Sequence, residues 1–477
     1  MDLIGRRTEI RDLQNIKNES KSAFIAVYGR RRIGKTFLIR TAFDQQFAFQ
    51  CTGIANANLT TQLSSFHIAL TEYNKTGQAL KQATDWLSAF QNLIQIIKKH
   101  PRKRKIIFLD ELPWMDTAQS GFIPALEHFW NSWASARKDI ILVVCGSAAG
   151  WMISNLINSN GGLHNRVTHK IRLQPFTLHE CELFFQSKQA VYDRYQILQL
   201  YMVLGGVPFY LEQIRTGESA AQNINRICFA ADGMLRTEFD NLYRSLFNKA
   251  DKHIAVIELL SKKAKGLTRQ QIVEGIKVST GGSVTKILNE LEESNFIRKY
   301  TAYGNIQRNS LYQLTDCYSL FYLKWIKNSS THDKNAWINQ LDSPKQRAWS
   351  GYAFEQACLS HIQQIKNALG ISGVQTETSS WISSTSSQGA QIDLIIDRRD
   401  QVINICEMKF SINAYTIDKK YAEELKNKLS VFRRETKTRK ALFLTLITSF
   451  GLIKNTYESL IQNQLTMDIL FEPSLDG

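Results

Sequence analysis

The chain has 477 residues, and at roughly 100–200 residues per domain it is expected to contain about two to four domains. Hydrophobic residues make up 43% and charged residues 21%, a globular composition that excludes a largely disordered chain. Lys and Arg number 59 against 43 Asp and Glu, giving a net charge of +16, which favours an acidic partner such as nucleic acid, although solubility alone also explains it.

Several classes of protein are excluded by what the sequence lacks. The seven Cys are scattered and form no C-x-x-C pair, which argues against a zinc ribbon and against a disulfide framework. The opening MDLIGRRTEI has no signal-peptide layout, and no apolar run approaches the roughly 18 residues of a membrane span. We therefore expect a cytoplasmic protein without a membrane segment.

The first predicted elements are a strand, a glycine-rich loop and a helix. Phe24–Tyr28 is apolar, and positions 29–36 then read G-x-x-x-x-G-K-T. In this context the pattern predicts a P-loop, whose backbone N–H groups surround nucleotide phosphates at a helix N-terminus. We expect Lys35 to reach the phosphates of ATP and the Thr36 hydroxyl to coordinate Mg²⁺. The predicted loop residues are Gly29, Arg30, Arg31, Arg32, Ile33, Gly34, Lys35 and Thr36.

Two later apolar strands end in polar residues. The segment KIIFLDELPWM predicts a buried parallel strand, at whose carboxyl end Asp110 would hold Mg²⁺ and Glu111 would act as general base on the attacking water. The alternative for these carboxylates is a capped helix start. The segment DIILVVCGSA predicts a third strand that ends at Ser147, which would sense the γ-phosphate or else form an ordinary turn.

Taken in order, these segments with IGRRTEIRDL, LHNRV and LGGVPFYL resemble the archaeal-type P-loop ATPases of the AAA+/STAND group, from the first residue to about Leu211. The resemblance implies that Gly5 and Arg6 lie near the adenine. It also implies that Arg166 is an arginine finger acting across a subunit boundary, hence a homo-oligomer; the alternative is a solvated charge on a loop. The GGVP run matches the helical lid of the family.

The middle of the chain predicts a winged helix-turn-helix. Three amphipathic helices begin near Ala250, Thr268 and Ser283, and the segment RKYTAYGNIQRNSLYQLTD reads as a hairpin. The third helix would enter the major groove of DNA, with Ser279 and Thr280 at its start and Tyr303 and Arg308 on the wing. A protein-docking domain is the alternative.

The C-terminal block brings together carboxylates and a lysine. QIDLIIDRRDQVINICEMKFS predicts two strands joined by a turn near Asp400, so that Asp393 lies opposite Glu407. Glu407 and Lys409 are two apart and share one face, and Glu355 lies on the preceding helix. Carboxylates that bind Mg²⁺ beside a lysine suit metal-assisted hydrolysis of a phosphodiester.

This pattern, G-x-x-F-E, then I-D, then E-x-K, resembles the PD-(D/E)XK nucleases and the domain fused to many archaeal-type ATPases. The resemblance implies catalysis by Asp393, Glu407, Lys409 and Glu355, with metal at the first two. The alternatives are a solvated sheet edge and a degenerate domain that binds without cutting.

The predicted fold class is α/β, with a P-loop core over residues 1–175, a helical lid over 176–244, a winged helix over 245–328 and a restriction-endonuclease-like domain over 345–477. The predicted function is ATP hydrolysis coupled to nucleic-acid binding, with DNA favoured over RNA, and to Mg²⁺-dependent cleavage. The family resemblance implies a role in defence against foreign DNA or in the handling of mobile elements. The competing prediction is a regulatory ATPase switch that binds DNA or protein and carries an inactive nuclease-like domain.

Overall fold

A computed structural model describes residues 3–75, 77, 79–158, 161–247, 249–276, 281–304, 310–329, 335–383 and 390–473. The chain divides into two compact units, Met1–Pro175 with Asn289–Asn295, and Phe176–Leu288 with Phe296–Gly477. Within the described part of the chain, no helix is both long and apolar enough to cross a membrane.

The first unit is built on a parallel sheet with the strand order β2-β3-β4-β1-β5. Its strands are β1 (Ala23–Tyr28), β2 (Phe49–Thr52), β3 (Lys105–Asp110), β4 (Ile140–Gly146) and β5 (His169–Arg172). Every residue of β3 and β4 is buried, as expected for strands covered on both faces. The α/β class with a parallel sheet is therefore confirmed for this unit.

Helices cover this sheet and leave the carboxyl ends of its strands for loops. They are α1 (Arg7–Asn18), α2 (Lys35–Ala42), α3 (Leu59–Tyr73), α4 (Trp86–Lys98), α5 (Leu112–Met115), α6 (Phe122–Phe129) and α7 (Ala149–Met152). One core on one face of the sheet contains the aromatic residues Phe49, Phe66, Trp86 and Phe90, and a second core on the other contains Phe43 and Phe108. Polar residues that follow β1, β3 and β4 consequently meet at one edge.

The second unit begins with helices. These are α8 (Leu178–Ser187), α9 (Arg194–Leu204), α10 (Pro208–Leu211), α11 (Ala220–Phe229) and α12 (Glu238–Leu246). Helix α8 starts with a capping box, in which Thr177 accepts from the Glu180 N–H and Glu180 accepts from the Thr177 N–H. The predicted GGVP run follows α9 and ends at Pro208, the first residue of α10, and Gly205 and Gly206 both adopt φ of 67°.

Three helices and three short strands follow in the part that the structure describes. They are α13 (Ala250–Ser261), β6 (Leu267–Thr268), α14 (Arg269–Ile276), α15 (Gly281–Glu293), β7 (Ile297–Tyr300) and β8 (Leu311–Leu314). The strands pair antiparallel in the order β6-β8-β7. The end of α15 and the two residues after it, Asn289–Asn295, group with the first unit. Of the residues predicted to meet DNA, Ser279, Thr280 and Arg308 lie outside the described residues.

The rest of the second unit is a mixed sheet flanked by helices. Its elements are α16 (Cys317–Phe321), α17 (Pro344–Ser360), α18 (Ile362–Ala368), β9 (Thr376–Ile382), β10 (Gln391–Arg398), β11 (Val402–Lys409), α19 (Lys419–Thr436), β12 (Ala441–Thr448) and β13 (Asn463–Thr466). The strand order is β13-β12-β11-β10-β9, with β9, β10 and β11 antiparallel and the other pairs parallel. Helix α19 packs its apolar side, including Leu425 and Phe432, on this sheet.

Candidate functional sites

The P-loop has the backbone shape that phosphate binding requires. Gly29, Arg32 and Gly34 adopt φ of 143°, 70° and 87°, and α2 then begins at Lys35. At Gly29 the carbonyl of Leu173 occupies the space that a Cβ would need, so that a larger residue would displace the loop. A turn of this kind directs backbone N–H groups toward one point, where phosphate would bind at the start of the helix.

Lys35 is turned into this loop. It is only 5% exposed, and its Nζ donates to the carbonyl oxygens of Gly29 at 3.2 Å and Arg30 at 2.9 Å, and to Ser147 Oγ at 3.4 Å. Burial lowers the pKa of Lys35, although the nearby carboxylate of Glu111 opposes this shift. The ammonium therefore lies where the phosphates of a nucleotide would gather.

Thr36 and Asp110 form the pair that was predicted for Mg²⁺. Thr36 Oγ1 lies 3.0 and 3.2 Å from the two carboxylate oxygens of Asp110, which is 5% exposed. The Asp110 carboxylate also accepts from the Glu111 N–H at 3.0 Å and contacts the thiol of Cys145. Burial and the adjacent Asp110 raise the pKa of the Cys145 thiol, which is therefore a neutral donor. A hydroxyl and a carboxylate are the hard oxygen ligands that Mg²⁺ prefers.

Glu111 follows β3 directly and is held by Ser147. The backbone of Glu111 is left-handed, with φ of 47°, which turns its side chain toward the end of β4. One carboxylate oxygen accepts from the Ser147 N–H at 3.0 Å and the other from the Ser147 hydroxyl. Since Ser147 also contacts Lys35, a chain of contacts joins Lys35, Ser147 and Glu111 at the carboxyl edge of the sheet.

The remaining predicted nucleotide-site residues differ in their exposure. Arg30 and Ile33 are buried, at 2% and 1%, and Arg31 is half-buried. Gly5 has φ of 67°, and Arg6 is buried and donates to the carbonyl of Gln174. Their closeness to adenine stays a prediction. Arg166 is exposed on the segment before β5, and its action on a neighbouring subunit likewise stays a prediction.

The second candidate site lies on the hairpin of β10 and β11. Leu394 pairs with Cys406 in an antiparallel register, and the same register continued by one position brings Asp393 opposite Glu407. Glu407 is 4% exposed, whereas the side chain of Asp393 is 21% exposed. The hairpin thus has the register that was expected from the turn near Asp400.

Glu355 reaches the hairpin from α17, and both carboxylates meet a lysine from elsewhere. Lys265, in the turn between α13 and β6, places Nζ 3.2 Å from Glu355 Oε1 and in closer contact with Asp393 Oδ1. Burial and the neighbouring Asp393 raise the pKa of Glu355 to about 7. Burial also tends to raise the pKa of Asp393, but the Lys265 ammonium outweighs it and lowers that pKa.

Glu407 meets a different lysine from the one predicted. Lys428 of α19 places Nζ 2.6 Å from Glu407 Oε1, and the Tyr421 hydroxyl donates to Glu407 Oε2 at 3.3 Å. Lys409 lies with Nζ 4.4 Å from the centre of the Tyr421 ring. Glu407 and Lys409 therefore share a face, as expected, but the ammonium group that touches the carboxylate belongs to Lys428.

This arrangement does not fit a metal ion. Searched over the described ranges alone, the chain has no group of three or more His, Cys, Asp and Glu side chains that could hold one. The ammonium groups of Lys265 and Lys428 already lie against the carboxylates of Asp393, Glu355 and Glu407. Two ammonium groups supply the positive charge that a divalent cation would otherwise bring.

Some contacts of these two sites were not predicted from the sequence, and a sequence pattern indicates only one of them. Lys428 is three residues after Leu425 and four before Phe432, so it lies in the apolar stripe that α19 packs on the sheet. A lysine in such a stripe indicates a buried acidic partner. The contacts of Cys145 with Asp110 and of Lys265 with Asp393 join distant segments, and no local pattern signals them.

Comparisons with known proteins agree with the interpretation of the first site as a nucleotide site of an ATPase. Residues 3–214 match the family described as an ATPase domain predominantly from Archaea. An uncharacterized protein of Methanocaldococcus jannaschii is 22% identical over 367 residues, which cover 76% of this chain and 77% of that protein. The Walker-type ATPase PABY2304 of Pyrococcus abyssi has a similar structure, with a TM-score of 0.51 and 17% identity over 68% of this chain and 96% of that one.

These similarities concern the first part of the chain. Residues 3–214 match an archaeal-type ATPase domain, which agrees with the P-loop ATPase predicted for this part of the chain. The structural similarity, at this low identity, shows a shared fold alone. The family match supports ATP binding and hydrolysis by the domain, and its residues meet in the geometry described above for Lys35, Thr36, Asp110, Glu111 and Ser147.

Proposed function

We propose that the protein is an ATPase switch that binds nucleic acid, with Glu111 as the general base of ATP hydrolysis. The observation that carries this proposal is the contact of Glu111 with Ser147, beside Lys35 and the Thr36–Asp110 pair. A base must lie within hydrogen-bonding reach of the water it activates, and the end of the sheet is where the γ-phosphate would project.

Each residue of this site has a separate role. Lys35 would exchange its contacts with the loop carbonyl groups for contacts with phosphate oxygens and stabilise their charge. Thr36 and Asp110 would hold Mg²⁺, which supplies further neutralisation of the phosphates. Ser147 keeps the carboxylate of Glu111 in place through its N–H and its hydroxyl, so we assign it the role of orienting the base.

The test compares substitutions in full-length protein. Lys35→Ala is expected to abolish ATP binding, whereas Glu111→Gln is expected to bind ATP and hydrolyse it at least about 100-fold more slowly. Lys98→Ala and Glu72→Gln change exposed residues of the same types on α4 and α3 and serve as matched controls. Unchanged turnover in Glu111→Gln would contradict the assignment of the base.

Nucleic acid is the partner that the charge favours, and we place DNA before RNA. Residues 346–477 carry 15 Lys and Arg against 14 Asp and Glu, so nearly all of the net charge of +16 belongs to residues 1–345. Binding of duplex DNA by the full chain should weaken steeply with salt, because phosphate contacts release counter-ions. Salt-independent binding, or none, would remove this part of the proposal.

Homo-oligomer formation is a further part of the proposal and depends on Arg166. Arg166 is exposed, as a residue that acts on a neighbouring subunit must be. Mixing Arg166→Ala with Glu111→Gln tests it. If one subunit supplies Arg166 to the base of the next, some mixed interfaces keep both groups, and the mixture regains part of the ATPase activity that each variant has lost. No recovery on mixing would contradict a shared site.

Phosphodiester cleavage is a second candidate function. The observation that favours it is the register that sets Asp393 opposite Glu407, with Glu355 adjacent through Lys265. The test is incubation of a plasmid with Mg²⁺ or Mn²⁺, with and without ATP, comparing wild type with Asp393→Ala and Lys409→Ala. Cutting that both variants lose supports a nuclease. No cutting in either metal supports the alternative, a switch whose nuclease-like domain is inactive.

A further inference from the structure

Lys265 contacts two carboxylates of the second unit, and neither candidate function assigns it a chemical role. Its Nζ lies 3.2 Å from Glu355 Oε1 and contacts Asp393 Oδ1 more closely. The carboxylates come from α17 and β10, whereas Lys265 lies in the turn after α13. All three side chains are largely buried, at 13% exposed for Glu355, 21% for Asp393 and 23% for Lys265.

The turn that carries Lys265 is held in place by its own neighbours. The Tyr300 hydroxyl donates to the Lys265 carbonyl at 2.6 Å, and the Gln313 amide donates to the carbonyl of Ala264. Gly266 has φ of 76°, and the carbonyl of Tyr312 lies where its Cβ would be, so the tight turn requires glycine at this position. The position of the Lys265 backbone is therefore built into the small sheet of β6, β7 and β8.

This small sheet is also joined to the C-terminal sheet, to which the Asp393 strand belongs. The Tyr303 N–H donates to the Ser380 carbonyl at 2.7 Å, and Ala302 forms a bridge with the same residue of β9. The Tyr303 ring packs 5.2 Å from the Phe432 ring of α19. Tyr303, which was expected on a wing facing DNA, thus contacts the C-terminal sheet, and these contacts hold the Lys265 turn against the carboxylates.

The charges around Glu355 and Asp393 explain why the ammonium group of Lys265 is stable beside them. Glu355 and Asp393 bring two carboxyl groups close together, and like charges at such a distance repel unless a cation lies between them. Lys265 provides that cation, and Lys428 and the half-buried Arg298 add positive charge nearby. A divalent cation has the same attraction for the two carboxylates, so it must compete with Lys265 for them.

We infer that Lys265 is a built-in counter-ion that occupies the place of a divalent cation at Glu355 and Asp393, so that these two carboxylates can bind such a cation only when the Lys265 ammonium group is removed. The inference deepens the second candidate function, on which it rests for its chemical meaning. It accounts for the poor fit of the carboxylates to a metal ion in the arrangement seen, because their cation is already present as part of the chain.

The test measures cation binding directly and without nucleotide. Free Mn²⁺ is titrated by electron paramagnetic resonance into the full-length wild type, Lys265→Met, the control Lys263→Met and the double variant Lys265→Met/Asp393→Asn. Lys263 is exposed and lies two residues away in sequence, so Lys263→Met removes the same charge but leaves the Lys265 contacts in place. Lys265→Met is expected to bind one additional Mn²⁺, with an apparent affinity at least about tenfold above any such site in wild type. Lys263→Met and the double variant Lys265→Met/Asp393→Asn should not bind this additional ion.

Two outcomes would overturn the inference. One is equal Mn²⁺ binding by wild type and Lys265→Met, and the other is an additional ion that persists in the double variant. Since Lys265→Met leaves two carboxylates without their cation, its melting temperature is expected to fall and to recover with Mn²⁺. If Lys265→Met does not fold, Lys265→Gln keeps a donor and takes its place in the titration.

Failure of this inference is distinguishable from failure of the proposed functions. ATP binding by the same samples reports on Lys35 and is expected to be equal in all four proteins. Plasmid cleavage, measured separately, reports on phosphodiester chemistry. If Lys265→Met binds the additional Mn²⁺ but no plasmid is cut, the inference about the counter-ion stands and the nuclease function is contradicted.

Discussion

Acid should destabilise the second unit through one buried histidine. His361, between α17 and α18, is 1% exposed, and its Nδ1 lies 2.8 Å from the Ala357 carbonyl. Because a carbonyl only accepts, Nδ1 carries the proton, and Nε2 accepts from the Leu178 N–H at 3.0 Å. His361 therefore satisfies the first N–H of α8, and a proton on Nε2 would remove that hydrogen bond.

The size of the effect follows from the change in pKa on folding. Burial lowers the pKa of His361 from 6.5 to about 4, although the Ala357 hydrogen bond opposes this. The unfolded chain thus binds the proton more readily, and the stabilisation by neutral His361 is complete above the unfolded pKa and is lost as the pH falls toward the folded pKa. One pKa unit corresponds to about 1.4 kcal/mol, so unfolding should become easier by about 3 kcal/mol between about pH 8 and pH 4.

The assay compares the pH dependence of wild type and His361→Gln. Hydrogen exchange of the α8 peptides, measured across this pH range and corrected for intrinsic exchange rates, gives the free energy of opening at Leu178–Ser187. Gln keeps an acceptor for the Leu178 N–H and cannot titrate. Across this pH range, the free energy of opening should therefore fall by about 3 kcal/mol less in His361→Gln than in wild type. Thr177→Ala removes the cap of the same helix. It should lower the free energy of opening by the same amount at the high and the low end of this pH range. Equal slopes in wild type and His361→Gln would refute the reasoning.

The remaining predictions concern both candidate sites. Ser147→Ala should bind ATP with unchanged affinity but hydrolyse it more slowly, by about tenfold or more, because Glu111 loses the hydroxyl that orients it; single-turnover kinetics separate the two steps. Gly29→Ala should abolish ATP binding, since its Cβ would collide with the Leu173 carbonyl, and a filter-binding assay measures this. Lys428→Met should lower the free energy of unfolding by about 3–5 kcal/mol, because it leaves a carboxylate that is 4% exposed without its cation, whereas the exposed control Lys426→Met should change it little.

The ATPase domain was predictable because its signals are local. The loop at positions 29–36 and the carboxylates at the end of β3 each occupy a few consecutive residues. Parallel strands then bring their carboxyl ends to one edge, so Asp110 and Ser147 meet the P-loop by topology. The sequence could not show how Ser147 divides its contacts between Glu111 and Lys35, since that depends on side-chain rotamers in the folded core.

The C-terminal hairpin was predictable in its register and unpredictable in its partners. The turn near Asp400 sets Asp393 against Glu407 because side chains alternate along both strands. Which lysine reaches Glu407 depends on how α19 crosses the sheet. Lys409 is two residues away in sequence yet lies over the Tyr421 ring, while Lys428, on the helix, makes the contact.

Lys265 shows why a short motif predicts a site better than it predicts the state of that site. It is 90 residues from Glu355 and 128 from Asp393 in sequence, and it lies in the turn before β6, which belongs to a different sheet from β10. The pattern of acidic residues and lysine on the hairpin indicates where negative charge gathers, but the cation that balances this charge is chosen by the tertiary fold. A nuclease-like motif is therefore compatible with an open metal site or with a closed ion pair, and the Lys265 contact favours the closed form for this chain.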